Sequence, residues 1–227
     1  MDKAREIAEG KLMVDAALHV GVNLFIWSSE PSVTQASKGT ITTVSHFDSK
    51  AEVSDYARST GLPVVDVHVG GYMNNFTTFS KPRPTGNGSY TVACTWNPKS
   101  RMPLIDTAHD AGLFVRQAIE SDEFNNGDGR VIGAYGEWVS IEDQVAIMSK
   151  ATGKRIEYLQ LTDDQMGAAM KQEHMPQHVI DDMLGMFHYH DGMWEDTYIH
   201  SSRDTLARTP RTFKEYCEAE QWDGVFE

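Results

Sequence analysis

Apolar positions recur at helical spacing through Ile7, Val14, Ala17 and Leu18, with charged residues around the rest of the cylinder, which predicts a helix over residues 3–19. Gly21 ends it, and "NLFIW" (23–27) reads as a buried strand. A polar stretch rich in Gly, Ser and Thr (28–44) leads to a second predicted helix, 46–59, which stops at "TGLP". The run "VVDVHV" (64–69) predicts a second strand, and the loop "GGYMNNF" follows it. Helix, strand, helix, strand with short connections is the rhythm of a parallel α/β sheet. Beyond residue 76 the turn-rich "KPRPTGNGS" predicts a crossing between lobes, and "YTVACTW" a strand. A helix starts near Asp106, "NNGDG" turns into the strand "RVIGAYG", and "SIEDQVAIMSKATG" is a helix with Ser140 as N-cap and Gly153 as its stop. "RIEYLQL" is a further strand, and the chain to about residue 192 is helical and methionine-rich. Residues 1–80 are thus expected to form part of an α/β domain, and residues 81–227 its remaining core elements and a smaller lobe.

Within the helix 46–59, placing residues 100° apart puts Asp48, Glu52 and Asp55 on one side. His46, Lys50, Val53 and Ala57 lie opposite, so Lys50 sits in the apolar arc. An inward lysine is costly unless something polar or anionic receives it. Three accounts are open: the stem runs to the helix edge, the ammonium pairs with an interior carboxylate, or Lys50 lines a ligand pocket. "SHFD" also resembles a capping box, with Ser45 as N-cap and Asp48 at the third helical position. Ligands of parallel α/β sheets bind beyond the carboxyl ends of strands. Ser28 and Ser29 stand at one such end, and Gly70 to Asn75 at the next.

A net charge of −13 argues against direct binding to nucleic acid or anionic lipid. The two cysteines, Cys94 and Cys217, have no metal-type spacing, and no run approaches the ~18 apolar residues of a membrane span. A soluble, cytoplasmic or nuclear protein is expected. "HMPQH" (174–178) and "HYHD" (188–191) lack a third ligand at matching spacing, so no metal site is expected. Six methionines between 166 and 193 are open to ordinary core packing, a substrate pocket or a partner groove, with His188 and Tyr189 as candidate polar contacts.

The runs "EIAEGKLMVDAALHVGVNLFIWSSEPS" and "SHFDSKAEVSDYARSTGLPVVDVHVGGYMNNF" resemble the NmrA-like branch of the atypical short-chain dehydrogenases/reductases. "MPLIDTAHDAGLFVRQAI", "SIEDQVAIMSKATGKRIEYLQL" and "PRTFKEYCE" extend the resemblance over nearly the whole chain. It implies a truncated Rossmann-type parallel sheet with a smaller C-terminal α+β lobe. It also implies that Lys50 contacts the nicotinamide ribose of NADP and that Tyr72, Met73, Asn74 and Asn75 line the nicotinamide end. Dehydrogenases of the wider superfamily carry a tyrosine four residues before that lysine as general acid; here the position is His46. The family's opening GxxGxxG turn, which seats the pyrophosphate on a helix N-terminus, has no match. Two accounts are open: Met1 is an internal methionine of a longer protein, or the chain is a shortened relative. In either, the strand at 23–27 lacks a neighbour, and a homodimer or aggregation through that edge is expected.

The expected function is a redox-responsive regulator or binding protein of NAD(P)-binding lineage, with weakened dinucleotide binding and a GATA-type transcription factor as partner. The rival is an NADPH-dependent oxidoreductase acting on a small-molecule substrate, with Ser29, His46 and Lys50 near the reacting atoms. A cofactor-free enzyme reusing the pocket is the third possibility.

Overall fold

The computed structural model describes residues 2–198 and 203–226. Helix α1 (Lys3–Val20) is capped by Asp2, whose side chain accepts from the Arg5 N–H, and ends at Gly21 in the left-handed conformation at φ 67°. Strand β1 (Phe25–Ser29) follows. The polar stretch predicted as loop contains one short helix, α2 (Val33–Ala36), capped by Ser32. Helix α3 (Ser45–Ser59) leads to strand β2 (Val64–Val69). Next come the two-residue strands β3 (Gly71–Tyr72) and β4 (Arg83–Pro84), separated by a 3-10 turn over Met73–Thr77.

Strand β5 (Tyr90–Cys94) precedes β6 (Arg101–Ile105) and helix α4 (Thr107–Glu120), which Asp106 caps. Strands β7 (Asp128–Ala134) and β8 (Glu137–Ser140) lead into α5 (Ile141–Thr152), which runs from Ser140 to Gly153 as its sequence predicts. Strand β9 (Ile156–Gln160), helices α6 (Asp163–Gln172), α7 (Gln177–Gly192) and α8 (Trp194–Thr197), and then α9 (Phe213–Ala219) complete the order.

Among the described residues the strands form three three-stranded sheets, β1-β2-β7, β3-β6-β8 and β4-β5-β9. The first is parallel throughout, with Phe25 opposite Val64 and Ser29 opposite His68. Its centre, β2, is buried in all but its last residue, as befits a strand covered on both faces. On one face α1 and α3 bury Val14, Ala17, Val53, Ala57 and Val64. Their close approach depends on Gly10, where an added Cβ would stand 2.5 Å from Val53. On the other face α4 packs Phe114 and Ala118 against Val65, Val67 and Ile132. Strand β7 returns to this sheet from beyond residue 80, so both parts of the chain build it.

Among the described residues β1 pairs on one side only, with Phe25, Ile26 and Trp27 partly exposed. Leu12, Met13 and Val20 of α1 are exposed as well. The smaller lobe centres on an aromatic cluster. His190 is buried and stacks on Trp194 at 3.6 Å, with Phe47, Tyr189 and Trp96 around it. Both of its ring nitrogens lack a hydrogen-bond partner among the described residues, and burial holds its pKa well below the usual value. No described helix is long and apolar enough to cross a membrane.

Two local expectations fail. The sequence names no strand at 101–105 or at 137–140, because each is short, and proline and charged residues interrupt its apolar pattern. The capping box of Ser45 and Asp48 is absent, since the N-cap of α3 is Val44. Asp48 turns instead to α2, accepting from the Thr34 N–H at 3.1 Å and hydroxyl at 2.5 Å and from the Ser32 hydroxyl at 3.2 Å.

Candidate functional site

The carboxyl ends of β1 and β2 and the start of α3 meet at one edge of the first sheet. A helix N-terminus leaves backbone N–H groups without intrahelical acceptors. In α3 those of Ser45 and His46 are received by a carboxylate from the other lobe, Asp182 of α7, at 2.8 and 3.3 Å. The same carboxylate binds the His46 ring at Nδ1, and Nε2 has no hydrogen-bond partner among the described residues. Asp182 is buried, and Gly185 one turn further lets α7 reach this segment, because a Cβ there would stand 2.2 Å from Thr43 Oγ1.

One turn along α3, Lys50 Nζ donates to Glu6 Oε1 of α1 at 2.5 Å and to the His46 carbonyl at 3.0 Å. Ser49 donates to the other Glu6 oxygen at 2.7 Å. Partial burial pushes the Glu6 carboxyl up, but hydrogen bonds from Lys50 and Ser49 outweigh it and hold the group below its usual range. Of the three accounts of the inward lysine, the structure has an ion pair. Its partner is a carboxylate about one-third exposed, not an interior one.

The remaining predicted residues divide. Ser29 points away from the rim: it is buried, and its hydroxyl shares a hydrogen bond with Ser54 at 2.9 Å on the α3 side. Strand alternation places it there and hands the rim to Glu30, the next residue. Tyr72 and Asn74 are exposed and Asn75 is half-buried, whereas Met73 is fully buried in the lobe core. His188 pairs with Asp163 on the surface, and the Tyr189 hydroxyl is buried against Thr197 at 2.6 Å, so neither faces this edge. Met170 belongs to a second small core with Ile180 and Phe187, against which Met166, Met183 and Met186 pack.

Glu30, Glu6 and Asp182 are absent from the sequence-based list. Glu30 follows a strand and precedes a proline, a signal that can be read but is easily taken for a turn. The other two are distant carboxylates on helices, with no local mark. Glu30 Oε2 is inaccessible and has no hydrogen-bond partner among the described residues. Burial raises its carboxyl well above the usual range, against the Lys50 charge and the Val69 N–H. Below the rim, His68 is buried and held neutral, its pKa pushed down to about 4 by burial and by the nearby Arg58 charge. Its carbonyl accepts from Tyr198 at 2.6 Å.

The model of the NmrA-like family matches residues 2–217. The nitrogen metabolite repression protein nmrA of Emericella nidulans is 31% identical over 161 residues, which are 69% of this chain and 45% of that protein. An NmrA-like family domain-containing oxidoreductase, ptmS of Penicillium ochrochloron, is 26% identical over 67% of this chain and 48% of its own length. The chain thus spans a half or less of the curated relatives it matches. Among solved structures, NmrA, a negative transcriptional regulator in complex with NADP, superposes with a TM-score of 0.73 at 23% identity, covering 94% of this chain and 69% of that one. That likeness shows the fold, a Rossmann-type α/β sheet with an appended lobe. The family match shows that the chain belongs to the NmrA-like family.

Proposed function

We propose that this chain carries the nicotinamide-facing part of an NAD(P)-responsive regulator, whose occupancy is read by a transcription-factor partner of GATA type in cytoplasm or nucleus. Relatives named as nitrogen metabolite repression proteins, and the solved NmrA with NADP, support that class. One observation carries it: Lys50, where the family resemblance puts the ribose contact, is held by Glu6 of α1. A ligand that recruits Lys50 competes with Glu6, so occupancy is coupled to the packing of α1 on α3. The residues present fit the nicotinamide-ribose end: Lys50 is partly exposed, Tyr72 and Asn74 are exposed on the segment after β2, and Glu30 keeps an unmet carboxyl oxygen. When bound, the nicotinamide supplies hydride exchange. This chain's residues hold and orient it.

The test is calorimetric titration with NADPH. Binding by the chain alone is expected to be weak, since the sequence has no GxxGxxG turn for the pyrophosphate. Lys50→Ala should lower affinity and His46→Ala leave it nearly unchanged. Equal loss of turnover in both variants would instead establish the oxidoreductase. The open edge of β1 and the exposed Leu12, Met13 and Val20 also support a homodimer. A monodisperse monomer at micromolar concentration would sink that part.

A further inference from the structure

The edge where Lys50 and Tyr72 lie holds a group to which the regulator reading assigns no hydrogen bond. A carboxyl group without a partner in a low-dielectric site is stabilised in its acid form, where it becomes a hydrogen-bond donor. Glu30 has one carboxyl oxygen in that condition. It directly follows β1, its Oε2 is shut off from solvent, and no described residue hydrogen-bonds that atom.

Its surroundings come from five elements. Lys50 of α3 contributes the one cation acting on it, and that ammonium is already engaged by Glu6. The Val69 N–H of β2 points at the carboxyl. Its charge also acts on three phenols, Tyr72 of β3, Tyr189 of α7 and Tyr198 just past α8. Tyr189 is committed to Thr197 and Tyr198 to the His68 carbonyl, so neither is free to satisfy Glu30. Tyr72 remains open on the rim. Around Glu30 the described residues thus supply one engaged cation and three phenols.

We propose that Glu30 is a ligand-binding residue whose carboxyl, as the acid, donates a hydrogen bond to the carbonyl oxygen of an uncharged group seated at this edge. An uncharged acid suits an uncharged acceptor, because a carboxylate in its place would repel the carbonyl dipole and carry an unpaired buried charge. Two sources offer that chemistry: the carboxamide of a reduced nicotinamide, or the carbonyl of a separate small molecule. The inference rests on the reading of this edge as the ligand-facing one.

The experiment observes two probes by saturation-transfer NMR, reduced nicotinamide mononucleotide and acetophenone, with the wild type, Glu30→Leu and Glu30→Gln. Dependence on Glu30 for the nucleotide assigns the cofactor's carboxamide, and for acetophenone a separate carbonyl compound; either supports the proposal. Glu30→Leu should weaken the responding probe about tenfold, the loss expected for one buried hydrogen bond. Binding to the wild type should fall as pH rises and Glu30 ionises, while Glu30→Gln, which keeps an N–H donor, should bind without that pH dependence. If Glu30→Leu does not fold, the loss of pH dependence in Glu30→Gln carries the test. Failure of both probes to bind the wild type overturns the proposal, as does equal binding to wild type and Glu30→Leu, or a carboxylate signal for Glu30 at neutral pH by carbon NMR. NADPH calorimetry with Lys50→Ala stays separate. If that variant loses affinity while Glu30→Leu does not, Glu30 alone is refuted. If NADPH ignores Lys50 while a small probe still follows Glu30, the regulator reading fails and Glu30 stands.

Discussion

Helix α3 is fastened at two points one turn apart, and the two fastenings differ in kind. At His46 the partner is Asp182, 3% exposed, which accepts from two backbone N–H groups and the imidazole. At Lys50 the partner is Glu6, 34% exposed, on a helix that also presents Leu12 and Met13 to solvent. Removing one member of a buried, multiply bonded set leaves the others stranded, whereas an exposed pair trades its contacts for water at little cost. The lobe-side fastening is therefore structural, and the α1-side one can exchange partners. A ligand-responsive element needs both: a fixed end to define geometry and a loose end to respond.

The comparison is tested most severely by Asp182→Ala. It should lose about 3–5 kcal/mol of stability, the range for breaking a buried charged set, measured by urea denaturation. A loss under 1 kcal/mol would place both fastenings in one class. Next in size is an acid effect below the rim. The folded pKa of His68 is lowered to about 4, so the stability it contributes is complete above its usual value near 6.5 and is lost as pH falls from there towards 4. The expected drop is on the order of 3 kcal/mol. His190, also held neutral by burial, acts in the same direction. Urea midpoints at pH 7 and pH 4.5 check it, and His68→Gln should flatten the difference.

How much of this was legible in the sequence follows from the range of each signal. The alternation and helical spacing that mark α1, α3, β2 and α5 are local, and the structure has those elements within a residue or two of the expected bounds. The first strand lies two residues later than the sequence predicts, because the polar Ser28 and Ser29 join the ladder while Asn23 and Leu24 do not. For the site, helical geometry identified Lys50 as unusual but could not supply Glu6, 44 positions away, nor Asp182, 136 positions from His46. Both are tertiary contacts between surfaces whose pairing no local pattern encodes. Ser29 shows the sharper limit: being at a strand end is legible, but which of two successive residues faces the rim depends on which sheet face α3 covers.

The two helix contacts behind the fastenings can be probed through their glycines. Gly185→Ala and Gly10→Ala each push a methyl group into an occupied position, at 2.2 Å from Thr43 and 2.5 Å from Val53. Each should cost about 1–3 kcal/mol by overpacking. Only Gly185→Ala should also weaken the Asp182 fastening, seen as faster hydrogen exchange at the Ser45 and His46 amides. Equal exchange in both variants would mean that the lobe contact does not hold the start of α3.

The smallest expected stability effect separates the readings best. Glu6→Gln removes the negative charge facing Lys50 but keeps a side chain of the same length. Because Glu6 titrates below its usual range when folded, its contribution is present above the unfolded value and is lost as pH falls through the folded one. With a third of the group exposed, solvent screening keeps that contribution under about 1 kcal/mol at neutral pH. Affinity should move the other way. Freed from Glu6, Lys50 no longer has to leave an anion before meeting a ligand, so NADPH should bind more tightly to Glu6→Gln than to the wild type. Unchanged affinity with unchanged stability would show that Lys50 does not exchange partners, and the loose fastening would then be ordinary surface charge.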